Sequence, residues 1–125
     1  MSRSVRVFNE SRDAVLATRA AVADTFVSRF RGLLGRTELG AGDGLVIEPC
    51  TSVHMLGMRF AIDALYLDRD GTVLRAVPGL RPNRFGPLVW RSHTVIELPA
   101  GTIARTGTVE GHRITFDAAP EVRTA

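Results

Sequence analysis

Asp68-Arg69-Asp70-Gly71 stands between two runs of β-favouring residues, and this one feature constrains the chain most. Gly71 can take the left-handed backbone conformation that a three-residue loop with a bulge requires, so the chain reverses direction here. Such a loop predicts Asp68 opposite Thr72, Leu67 opposite Val73, Tyr66 opposite Leu74, Leu65 opposite Arg75 and Asp63 opposite Val77. Side chains alternate along a strand. One face of the hairpin then carries Ile62, Ala64, Tyr66, Leu74 and Ala76, and the other Asp63, Leu65, Leu67, Val73, Arg75 and Val77. Both faces are mostly apolar, which places the hairpin in the interior rather than at a solvated edge. Asp63 and Arg75 share a face as diagonal neighbours, so an internal ion pair fixing the register is expected.

The other segments read as further short strands. Val5, Val7 and Val15 lie in two β-rich runs joined by a loop at Asn9–Asp13. Gly44–Cys50 is a strand with Leu45 and Ile47 on one side and Val46, Glu48 and Cys50 on the other. Thr94–Leu98 sets Val95 and Glu97 on one face, and His112–Phe116 is the last strand. Between strands, Asp24 or Thr25 can cap a helix whose Phe26, Phe30, Leu33 and Leu34 form one apolar stripe, with Gly32 inside it and Gly35 as its stop. One helical turn is expected over Thr102–Thr106, stopped by Gly107. Pro78–Pro87 reads as an extended loop long enough to be a binding loop or lid. The 125 residues suit a single compact domain, 1–125, with a frayed tail from Asp117. The fold class is mainly β: a small sandwich or jelly-roll-like barrel with one packed amphipathic helix and a short helical turn near the C-terminus.

Composition excludes several chemistries. All 16 basic residues are arginine, so a Schiff-base lysine, a lysine general base and a Walker lysine are ruled out. The arginines are scattered rather than gathered into one stripe, and no nucleic-acid partner is expected. No apolar run approaches membrane-spanning length, the N-terminal stretch lacks a signal-peptide core, and the single cysteine cannot form an internal disulfide. A cytoplasmic protein without membrane insertion is expected.

Arg31-Gly32-Leu33-Leu34, then His54-x-x-Gly57-Met58-Arg59-Phe60-x-Ile62-Asp63, then Glu97-Leu98-x-Ala100-Gly101 and Gly107-x-x-x-Gly111 carry a family resemblance. Over nearly its whole length the chain resembles the domain-of-unknown-function 192 family. The resemblance implies a compact, β-rich, jelly-roll-like fold with one packed helix. It implies no established activity, cofactor or catalytic residue. The chain departs from the family pattern at Met58-Arg59-Phe60, where exported members carry a tryptophan-methionine-lysine-asparagine run, and at His112, where an acidic residue is common.

Three kinds of chemistry can be weighed on the residues themselves. Cys50-x3-His54-x3-Met58 is close to a blue-copper ligand loop, but such a centre needs a second histidine upstream of the cysteine. His93 and His112 both lie downstream, so no metal and no cofactor is expected. A thiol nucleophile at Cys50 would need a lowered pKa, and nothing local to Pro49-Cys50 supplies it. The polar residues interrupting apolar strands remain: His54, Arg59, Asp63, Trp90, His93 and Glu97 are the candidate ligand-binding set. In that reading Arg59 binds an anionic group, Asp63 or Glu97 accepts hydrogen bonds, and Trp90 supplies an apolar wall. The expected function is a non-catalytic binding or accessory module for a small polar ligand or a protein partner, with its cleft beside the central hairpin. The alternative is a small hydrolase using Asp63 and Glu97 with His93 or His54 as acid and base.

Overall fold

The computed structural model describes residues 3–25, 28–29 and 32–119. Among these, seven strands form one sheet: β1 (Ser4–Asn9), β2 (Ala14–Ala23), β3 (Asp43–Ile47), β4 (Ile62–Leu67), β5 (Val73–Leu80), β6 (Thr94–Pro99) and β7 (Ile114–Ala118). Their order across the sheet is β5-β4-β6-β3-β2-β1-β7. Every pair is antiparallel except β2 and β3, which are joined by the long crossover through residues 24–42. The mainly β class is thus observed. The strands belong to one curled sheet, however, where a sandwich would divide them between two.

The curl brings the two edge strands together at one end. The Val73 N–H donates to His112 O (2.9 Å), Gly111 N–H to Val73 O (2.8 Å) and Ile114 N–H to Gly71 O (2.8 Å). The result is a half-barrel with two apolar faces. On the inside, Val7, Leu16, Leu65, Leu67, Ile96 and Leu98 pack into one cluster, to which Ile103 adds a lid. On the outside, Ile62, Tyr66 and Val95 are covered by Leu33, Leu39, Val53 and Met55. Fully burying each such side chain contributes roughly 1.5–3 kcal/mol, which is why both faces of β4 and β6 read as apolar.

The central turn forms as its residues require. Gly71 has φ 87°, and the Asp68 carboxylate accepts from Asp70 N–H (2.9 Å) and Thr72 N–H (3.0 Å). Leu67 pairs with Val73 as expected, but the register then slips: Tyr66 faces Arg75, Leu65 faces Ala76 and Ala64 faces Val77. Leu74 is the additional residue, a bulge that strengthens the local twist. A second irregularity lies opposite Asp63, between the pairs Ala64–Val77 and Ile62–Leu80. The expected Asp63–Arg75 ion pair therefore does not form. The slip carries Arg75 to an exposed position across from Tyr66, and Asp63 finds other partners.

Those partners are backbone groups. Asp63 is 0% exposed and faces the inner side of the sheet. Its Oδ1 accepts from Gly79 N–H (2.9 Å), and its Oδ2 from Gly101 N–H (3.1 Å) and Ile103 N–H (2.8 Å). The last two donors open helix α1 (Thr102–Thr106), whose N-cap Gly101 has no side chain to offer. Asp63 supplies the missing cap from a neighbouring strand, and α1 then delivers Ile103 to the inner core. α1 ends at Gly107, which takes φ 67°.

Two further segments differ from expectation. The helix before β3 was expected to run through Gly32 to Gly35. Thr25 and Ser28 do form reciprocal caps (Ser28 N–H to Thr25 Oγ1, 3.1 Å; Thr25 N–H to Ser28 Oγ, 3.0 Å), and Ser28 and Arg29 are helical. Gly32 has φ 48°, a left-handed conformation that ends a helix rather than continuing it, and 32–35 are turn residues. Phe26 and Phe30 lie outside the described residues. The Pro78–Pro87 loop is shorter than expected, because β5 reaches Leu80; an edge strand tolerates Pro78. Beyond Leu80 the chain bonds to the 50s segment through Met55 N–H to Arg84 O (2.8 Å), Gly86 N–H to Val53 O (2.8 Å) and Val89 N–H to Thr51 O (2.9 Å). It is a packed ribbon over the outer face, not a free lid.

Candidate functional site

The crossover and the ribbon leave a cavity of about 360 Å³ over the outer face of β3 and β6. Its floor is Ile47 and Glu97 from the sheet. Leu33 and Leu34, from the turn that Gly32 opens, form one wall; Val53 and Met58 form the other. Cys50 and Ser52 lie along the side, and Arg29 and exposed His54 stand at the mouth. Arg29 Nη1 donates to Pro49 O (3.0 Å), tying the helical residues to the start of the 50s segment.

Glu97 defines the chemistry of this cavity. Strand alternation puts it on the face of Val95, opposite Ala64, among apolar neighbours. It is only 4% exposed, and among the described residues no donor or cation contacts its carboxylate. Burial alone pushes its pKa up to about 7, because the charged form has lost water and gained no partner. No buried side-chain oxygen among the described residues lacks both a partner and residual exposure, so what exposure Glu97 keeps opens into the cavity it lines.

Cys50 is shielded rather than activated. Its Sγ donates to Ser52 O (3.0 Å), and burial, with Glu97 adding to it, raises the thiol pKa. A raised pKa keeps the group as a poorly nucleophilic thiol. β3 ends at Ile47, so strand alternation does not extend to Cys50, which lines the cavity together with Ile47 rather than lying with Val46. Tyr66, beneath the ribbon, donates to Pro87 O (2.8 Å), and burial pushes its pKa up to about 12.

Of the residues singled out from sequence, Glu97 and His54 line the cavity. Asp63 does not: it pairs with Leu98, one residue out of phase with Glu97, and so faces the other side of the sheet. The two carboxylates cannot act on one substrate as an acid–base pair. Arg59 is exposed and Trp90 is 81% exposed; neither lines the cavity, and neither does half-buried His93. Nothing in the sequence alone marks Arg29, Leu34 or Met58 as site residues. Arg29 carried a signal only as one of many arginines, and Met58 only as part of the discarded copper spacing.

A second cavity, about 390 Å³, opens at the splayed end of the half-barrel beside Val5, Val22 and Val46. Its charged residues are already paired: Arg3 with Glu48 (3.5 Å), and Asp117 with Arg6 (3.2 Å). Among the described residues, no group of three or more His, Cys, Asp or Glu could hold a metal ion, and no helix is long and apolar enough to cross a membrane.

The fold and the first cavity define a small curled-sheet β protein with a mainly apolar pocket that has a buried acid at its floor. The chain belongs to the DUF192 family, described as uncharacterized ACR, whose model matches residues 7–116. It is similar to a UPF0127 protein of Thermococcus sibiricus, 29% identical over 119 residues, covering 92% of this chain and 77% of that one. It is also similar to a UPF0127 protein of Thermococcus gammatolerans, 30% identical over 122 residues, covering 89% of this chain and 74% of that one. A crystal structure of a protein of unknown function from Novosphingobium aromaticivorans superposes with a TM-score of 0.78 at 24% identity, over 91% of this chain and 84% of that one. That likeness concerns the fold.

Proposed function

We propose that this chain is a binding module whose cleft, over β3 and β6, takes a small ligand with a mainly apolar body and one polar group directed at Glu97. The observation that carries this is Glu97 itself: a buried carboxylate with no partner among the described residues costs stability, and it lies on the floor of an open cavity. The cavity volume is that of a small-molecule site, and its walls are the side chains such sites use. β6, which lines this cavity, is the strand next to β4 of the central hairpin. His54 at the cavity mouth is placed to meet the solvent-facing end of the ligand. A lone, unpaired thiol fits a reducing compartment, and we assign the protein to the cytoplasm on that ground.

A thermal-shift screen of metabolites tests this, because a ligand that prefers the native state raises the melting temperature. The expected result is stabilisation by at least one compound that disappears in Leu34→Trp, which fills the cavity from its half-buried wall. Stabilisation that persists in Leu34→Trp, or none across the panel, would refute the reading.

A further inference from the structure

We propose that the cleft selects a protonated amine on an apolar body, with Glu97 as its counter-ion; this rests on the binding reading above and names the ligand class. Cys50 and Ser52, which line the cavity with Glu97, already have partners within the protein. Cys50 Sγ donates to Ser52 O (3.0 Å) and Ser52 Oγ to Gly86 O (3.4 Å). Arg29 is near enough to Cys50 to act on its thiol, yet among the described residues no cation offsets the charge on Glu97. What the floor lacks among the described residues is a donor with positive charge, and an ammonium group is the smallest that supplies both.

The walls set the rest. Ile47, Leu33, Leu34, Val53 and Met58 offer no hydrogen bonds from their side chains, so the body that fills the space between them is hydrocarbon. An anionic ligand would set a second negative charge beside Glu97 or require that acid to stay protonated. The titratable groups facing Glu97 from the packed elements are the Cys50 thiol, the Tyr66 phenol, Arg29 and His54. The first two are neutral at pH 7, since burial raises both. The source of the amine, a free metabolite or the side chain of a peptide, is separated by using probes of each kind.

The test uses the full chain with 2-phenylethylamine, 2-phenylethanol and phenylacetate, and with a short lysine-containing peptide. Calorimetry should show 2-phenylethylamine binding roughly tenfold or more tightly than the alcohol, as a charge-assisted hydrogen bond requires, and phenylacetate weakest. Glu97→Gln should bring the amine down to about the alcohol's affinity. Because a buried glutamine could disturb folding, the wild-type protein at about pH 5.5 supplies the same neutralisation: amine affinity should fall there and binding should release a proton. The peptide competing with the amine would assign the source as a lysine side chain; no competition would assign it as a free amine. Amine affinity unchanged by Glu97→Gln, or phenylacetate binding as tightly as the amine, would overturn the amine class. If another compound then binds in a Leu34-dependent way, the cleft reading stands without it. If nothing does, both fall.

Discussion

Asp63 is the residue whose removal should hurt most. Its carboxylate satisfies the N–H groups of Gly79, Gly101 and Ile103, at 2.9, 3.1 and 2.8 Å. Asp63→Ala leaves all of them in a site where the residue itself has no exposure. A stranded buried donor costs about 1–3 kcal/mol, and that cost falls in full on Ile103 N–H, whereas Gly79 and Gly101 are exposed residues whose N–H groups water can partly satisfy. With the loss of charge-assisted bonds to all three, the expected cost is roughly 2–5 kcal/mol, a large share of a domain's stability of about 5–15 kcal/mol. Asp63→Asn is the sharper test. Its single carbonyl can keep Gly101 and Ile103, but its amide then points N–H at the Gly79 N–H, and the expected loss is about 2–4 kcal/mol. Arg75→Ala, at an exposed site across from Tyr66, should cost less than about 0.5 kcal/mol. Urea unfolding of the single and double variants measures all of these, with unchanged m-values as the check on two-state behaviour. Additive costs for Asp63 and Arg75 are expected, because the bulge has separated them. A coupling above about 0.5 kcal/mol, or an Asp63→Asn protein as stable as the wild type, would refute the assignment.

Glu97 should make stability depend on pH in an unusual direction. Its pKa is raised from 4.5 to about 7 in the folded protein, so between those values the folded state binds more protons than the unfolded state. Stability from this group is full below about pH 4.5 and is lost as pH rises through about 7, by roughly 3 kcal/mol in all. Glu97→Gln should flatten that fall, and parallel pH profiles for the two proteins would contradict the burial argument. Gly86→Ala should cost about 1–3 kcal/mol in unfolding free energy, because its new Cβ would lie 2.6 Å from Tyr66 Oη and 3.1 Å from Val53 Cγ2. Replacing Tyr66 by Phe in the same chain should relieve part of that cost; a neutral Gly86→Ala would mean the ribbon is looser than its hydrogen bonds indicate. Cys50 should react with a thiol reagent at neutral pH more slowly than an unfolded-chain thiol, and rapid labelling of the native protein would show that the raised pKa is wrong.

The parts of this protein that the sequence determined by itself are those settled within a few residues. The turn at Asp68–Gly71 is one: Gly71 takes positive φ, and Asp68 bonds to amides two and four residues on. The reciprocal Thr25 and Ser28 caps and the apolar alternation of β4 and β6 are others, and a carboxylate at position 97 stood out because it broke that alternation. The tertiary structure decided what lay beyond that range. The bulge at Leu74 came with the twist of the curled sheet, and one added residue sent Arg75 to solvent. Asp63 then took partners 16, 38 and 40 residues away, which no local pattern could specify. Asp63 and Glu97 looked alike along the chain; the β4–β6 register put them on opposite faces, one filled by the α1 amides and the other left open by the Arg29–Met58 covering. Backbone chemistry is short-ranged, whereas the curvature of a sheet, and what folds over it, decides which buried charge is satisfied and which is left for a ligand.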